Sequence, residues 1–362
     1  MAMHTTRVKV VGSDIPYYPR YFSKTGRYGY AVGRIMVREA TLLNRQQVGR
    51  LVGLDFRGAI DVTLETVYGP YLRGVSLSHE IDDGLMRFLV QEYAFMDEIC
   101  AGTLVAHFMH MKYDFHNLRV ILKRHYFADA QGDNLIPGLG SIPAEDMLKA
   151  AQGEKPTGVL PAYIGNVIAA AGLWTAAQND PQLLDTLVDR SFLERRLAVA
   201  DEERSRALRD FCAASIDVAN VKVMLRGFNR GKDREFYEAA LAEGGRIPRP
   251  KLLSLAGEPF EVVADKFLAS RYGRMLEAAV PADGRIRLTS LDKESDEYLF
   301  EQVKGLSKIS MGPERIVRFM LTRESEVVML RIIFMGKIHG LTPESIQGRI
   351  PEAYLYESPR QQ

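Results

Sequence analysis

The chain has 362 residues, enough for two or three domains of ordinary size. Its 47 basic and 46 acidic residues leave a net charge of +1, without the basic excess of a nucleic-acid or anionic-membrane binder. Its only two cysteines, Cys100 and Cys212, have no zinc-type CxxC spacing and predict buried thiols in a reducing compartment.

In chain order, the N-terminal stretch "MAMHTTRVKVVGSDIPYYPRYFSKTG" has no apolar core of signal-peptide length, so no secretion is expected. A short alternating pattern at Arg7–Val11 reads as strand-like, as does Arg285–Leu288 later on. Elsewhere helical periodicity dominates. The runs "LMRFLVQEYAFMDEICAGTLVAHFMHM", "LLDTLVDRSFLERRLAVADEERSRALRDFCAAS" and "ERIVRFMLTRESEVVMLRIIFMGKI" place apolar residues at three- and four-residue steps. Breakers gather in "ADAQGDNLIPGLGSIPAED", "LAEGGRIPRPKLLSLAGEP" and "VPADGR". From Pro156 to Asn179, "PTGVLPAYIGNVIAAAGLWTAAQN" carries no charge. Its prolines, glycines, asparagines and alanines make it too weakly apolar for a bilayer span, and it is expected to be a buried helix of a soluble protein. The chain is predicted to be all-α.

The chain also repeats itself. "YDFHNLRVILKR" at Tyr113–Arg124 returns as "IDVANVKVMLRG" at Ile216–Gly227, pairing Asp114 with Asp217, Asn117 with Asn220 and Arg119 with Lys222. The turn Gly140-Ser141-Ile142-Pro143 returns as Gly245-Arg246-Ile247-Pro248 at nearly the same spacing. A weaker third copy aligns Glu326 with Asp217 and so Arg331 with Lys222. Acidic residues Asp82, Asp189 and Asp296 open an amphipathic run upstream of each copy. Three helical units of roughly a hundred residues follow, at 27–135, 136–235 and 236–362, after an N-terminal extension of 1–26.

Asp114 and Asp217 are expected to cap helix starts. His107, His110 and Asp114 would share a face only on an unbroken helix, and the expected start at Asp114 argues against a metal site there; a metal-dependent helical enzyme is the rival reading. No GxxxxGK[ST] loop appears and GxSxG is missing, so neither nucleotide binding nor catalysis is expected. No cofactor is expected. A helical scaffold for other partners is a further rival.

"YGYAVGRIMVREATLL", "YDFHNLRVILKRHY", "LPAYIGNVI", "SIDVANVKVMLR" and "GPERIVRFMLTRESEVVMLRIIFMGKIHGL", in this order, resemble the C subunit of vacuolar/archaeal-type rotary ATPases, known as the d subunit in the eukaryotic vacuolar pump. The resemblance runs from about Arg27 to the C-terminus and departs at Met329, where the family often has Asn. It implies a funnel of three similar helical domains about a pseudo-threefold axis. It also implies a non-catalytic, peripheral subunit on the cytoplasmic face of the membrane. There it would couple the shaft subunits D and F to the rotor ring in ATP-linked proton or sodium transport. On that reading Arg119, Lys222 and Arg331 are candidates to meet an acidic shaft tip.

Overall fold

A computed structural model describes residues 24–127, 134–178, 181–277, 287–306, 309 and 311–355. The expected strand at Arg7–Val11 lies outside the described residues, as do the first two residues of Arg285–Leu288, whose last residue opens a helix. Among the described residues there is no strand; the chain is all-α. It divides into two compact units. Among the described residues one is continuous, lying within 101–277, and the other is split, joining 24–100 to 287–355.

The N-terminal arm of the split unit holds α1 (Lys24–Glu39), α2 (Arg45–Gly53), α3 (Phe56–Leu64), α4 (Gly69–Leu72) and α5 (Ser78–Cys100). Their starts follow local chemistry. Asn44 and Gln47 exchange side-chain and backbone bonds at 2.9 Å each, a capping box that satisfies two unpaired N–H groups of α2. Asp55 accepts from Gly58 N at 2.8 Å at the start of α3.

The continuous unit opens with α6 (Leu104–Tyr126), α7 (Ala144–Ala151), α8 (Ala162–Gln178) and α9 (Pro181–Glu202). It goes on through α10 (Arg206–Asn229), α11 (Arg234–Ala240), α12 (Arg249–Leu253), α13 (Phe260–Leu268) and α14 (Gly273–Glu277). Two of the long periodic runs are interrupted. Gly102 takes φ 68° between α5 and α6, and Arg204 takes φ 57° between α9 and α10, where Ser205 then caps Leu208 N at 3.1 Å. Helix α9 packs against α6, α8, α10 and α11, so Leu183, Leu184, Leu187 and Val188 enter one core with Leu118 and Leu122 of α6. The uncharged stretch is only half buried. Helix α8 hides Ile164, Val167, Ile168 and Ala171, whereas Leu173 is 74% exposed. No described helix is long and apolar enough to cross a membrane.

The C-terminal arm of the split unit holds α15 (Leu288–Gly305), α16 (Pro313–Ile338) and α17 (Pro343–Arg349). Helix α16 is its axis, packing against α1, α3, α5 and α17 and burying Ile316, Val317, Met320, Leu330 and Ile333. The two arms of this unit meet through charge as well as apolar area. Glu39 receives Arg315 and Arg318, each at 2.5 Å, and Tyr93 donates to Glu324 at 2.6 Å.

Candidate functional site

Asp114 and Asp217 do not cap helix starts. Helix α6 begins at Leu104 and α10 at Arg206, about three turns before each aspartate, with Thr103 and Ser205 at the N-cap positions. The apolar periodicity continues straight through "KYD", which is why the local Asp-plus-basic pattern misleads. Both carboxylates lie in helix interiors, fully buried, and both accept bonds from a distant turn.

Asp114 Oδ1 accepts Ile142 N at 2.9 Å, and Oδ2 accepts the Ser141 hydroxyl at 2.8 Å. Asp217 Oδ1 accepts Ile247 N at 3.0 Å, and Oδ2 accepts Arg246 N at 3.0 Å. The turn can come so close because it carries a glycine. A Cβ on Gly140 would lie 2.6 Å from Asp114 Oδ1, and one on Gly245 would approach Asp217 closer still. Three residues further along each helix an asparagine completes the grip. Asn117 takes Ile136 N at 2.8 Å and gives to Ile136 O at 3.2 Å; Asn220 does the same with Ala242 at 2.8 and 2.9 Å. These clasps satisfy backbone groups that would otherwise be buried without partners.

A third clasp sits in the split unit. Glu326 on α16 accepts Leu43 N, in the turn entering α2, as Asp217 accepts Ile247 N in the turn entering α12. Each of these acids also receives a tyrosine hydroxyl: Tyr272 reaches Asp217 Oδ2 at 2.5 Å and Tyr68 reaches Glu326 Oε2 at 2.6 Å. The tyrosines stand in matching turns, Thr66-Val-Tyr68-Gly69 and Ser270-Arg-Tyr272-Gly273, closed by Gly69 N to Thr66 O at 3.1 Å and Gly273 N to Ser270 O at 3.0 Å. Sequence reading missed both tyrosines. The signal was present as a Thr/Ser-x-Tyr-Gly phrase written twice.

The third clasp carries an additional charge. Arg323, fully buried, donates to Glu326 at 2.7 Å, to Thr41 O at 3.3 Å and to the Thr41 hydroxyl, and sits 3.5 Å from Glu92. Thr41 occupies the place of Gly140 and Gly245, and the longer Glu replaces Asp. Burial works against the Arg323 charge, but Glu326, Tyr68 and Glu92 outweigh it and hold the guanidinium above its ordinary range. Burial raises Asp114, Asp217 and Glu326, opposed in each case by the bonds they accept. Met329 stands where Asn117 and Asn220 do and is fully buried, so this clasp has no amide arm.

The basic positions are placed on the same helices. Arg119 pairs with Asp189 at 2.9 Å, and Arg331 pairs with Asp82 at 2.6 Å, joining two of the three repeated acids to the repeated bases. Lys222 is half-buried on α10. The histidines are otherwise engaged. His110 Nδ1 lies 2.6 Å from Leu139 O, and the His107 ring lies 5.8 Å from that of Tyr163. His107, His110 and Asp114 do share one continuous helix, contrary to the expected break. Even so, no group of three His, Cys, Asp or Glu residues is placed to hold a metal among the described residues. Both cysteines are buried thiols outside any disulfide. The repeated acids and asparagines thus bind backbone and side-chain groups of the chain itself.

The family model described as ATP synthase (C/AC39) subunit matches residues 31–349. The C subunit of the V-type sodium ATPase of Enterococcus hirae is 23% identical over 323 residues, 88% of this chain and 96% of the relative. The C subunit of the A-type ATP synthase of Haloferax volcanii is 26% identical over 341 residues, with 89% and 96% covered. The C subunit of the V-type ATP synthase of Thermus thermophilus is 22% identical over 334 residues, with 89% and 98% covered.

Proposed function

The chain belongs to the ATP synthase (C/AC39) subunit family, and from that membership we propose that it is the socket that couples the rotating shaft to the membrane rotor ring. It is an accessory subunit of a V/A-type rotary ATPase and performs no catalysis of its own. The match over nearly the whole chain, with relatives covered over almost their entire length, supports the subunit assignment from which the coupling role is proposed. In this reading the chain lies on the cytoplasmic face of the membrane. It receives the tip of subunits D and F and stands on the ring, transmitting torque for proton or sodium movement.

A torque-bearing part must resist deformation. Clasps buried in helix interiors, with their turns drawn onto them by two or three bonds, support that role, because interiors this closely packed transmit strain. We propose further that the clasp marks a triplicated unit, whose third copy is completed by the N-terminal arm. Arg119, Lys222 and Arg331 are proposed to meet acidic groups of the shaft.

Deleting the subunit from the assembled motor is the test. Nucleotide hydrolysis by the soluble head should persist while ATP-driven ion transport is lost. Transport that survives the deletion would overturn the coupling role.

A further inference from the structure

The first clasp is built differently from the other two. Tyr163 stands where Tyr68 and Tyr272 stand, in a turn closed by Ile164 N to Pro161 O at 3.0 Å. Its ring stacks on Phe115, centroids 6.0 Å apart and planes 11° apart, beneath the Arg195 guanidinium at 5.1 Å. The hydroxyl is buried and makes no hydrogen bond among the described residues, although the charge of Asp114 acts on it. Asp114 Oδ2, the oxygen equivalent to that held by Tyr272, is held by Ser141 instead.

Two features explain why the hydroxyl falls short. Ile164 occupies the place of Gly69 and Gly273, where a Cβ would run into a backbone carbonyl, so the close approach those two turns make is closed to the turn bearing Tyr163. The loop before α8 is also tethered elsewhere, by Thr157 N and Gly158 N to Asp146 at 2.8 and 3.3 Å. A buried donor that makes no hydrogen bond among the described residues is a costly arrangement, and a bond to the Asp114 carboxylate would relieve it.

We propose that the first clasp is a two-position latch. In the position seen in the structure Ser141 holds Asp114; in the other, α8 moves inward and the Tyr163 hydroxyl donates to the same oxygen. Asp217 Oδ2 accepts a turn N–H and Tyr272 together, so Ser141 and Tyr163 are redundant donors to the matching Asp114 oxygen, and either suffices for it. The other two clasps, whose tyrosines are already seated, are fixed. The latch rests on the clasp geometry and holds whether or not the subunit couples a shaft to a ring.

A double-mutant cycle on the full chain, read by thermal unfolding, tests this. Tyr163→Phe alone should leave Tm nearly unchanged, whereas Tyr272→Phe lowers it by several degrees. Ser141→Ala alone should lower Tm only slightly, because Tyr163 takes over. The double variant Ser141→Ala/Tyr163→Phe should lose clearly more than the two single losses added together. A double loss no larger than that total, or a Tyr163→Phe loss matching that of Tyr272→Phe, overturns the latch.

Discussion

The Tyr272 hydroxyl lies 2.5 Å from Asp217 Oδ2 on α10, and in the split unit Tyr68 makes the same contact with Glu326. One clasp is therefore built twice from residues far apart in the chain. A hydrogen bond to a buried charged group contributes roughly 1.5–3 kcal/mol, and Tyr272→Phe or Tyr68→Phe should each lose about that much in urea unfolding. Losses near zero would mean that the tyrosines only fill space.

The glycines separate close approach from open helix. Gly245→Ala drives a methyl group into Asp217 and should cost about 1–3 kcal/mol. A methyl group added at Gly165, inside α8, would meet nothing within 4 Å, and Gly165→Ala should stabilise by about 0.5–1 kcal/mol. Opposite signs in denaturant unfolding check both statements.

Arg323 bridges the two arms of the split unit. Removing it in Arg323→Met leaves Glu326 buried without its cation, whereas Glu92 keeps Arg38, and should cost about 3–5 kcal/mol. Adding Glu326→Gln should recover part of that loss, since one uncompensated charge goes with it. If the double variant is less stable than Arg323→Met, the charge explanation fails.

His107 supplies a pH dependence whose sign is fixed by its surroundings. Burial, and then the Arg195 charge, hold its imidazole below the ordinary value of 6.5. The folded state therefore binds fewer protons than the unfolded state, and stability falls as pH drops through 6.5 towards the lowered folded value. His107→Gln removes this contribution. Between about pH 8 and pH 5 the native chain should lose stability relative to the variant, and parallel curves would contradict the shift.

Much of this was legible in the sequence and some was not. The helices, the repeated Asp and Asn, and Glu326 as their third counterpart were readable because each belongs to a periodic phrase. The role of Asp114 was not, because an Asp followed by basic residues looks the same locally whether it caps a helix or reaches a turn 28 positions on. Tyr68 escaped because its partner is 258 positions away, and no local pattern reports a pairing between chain ends. Nothing in the sequence sets Arg323 apart from the chain's other helical arginines; only the fold shows it fully buried.

The decisive measurement for the coupling role is capture of the tagged chain from gently solubilised native membranes, with the partners identified by mass spectrometry. Shaft subunits D and F should be recovered together with the ring subunit. Changing Arg119, Lys222 and Arg331 all to Glu should lose D and F while helix content stays intact. Recovery of neither the shaft nor the ring with the native chain would contradict the coupling role.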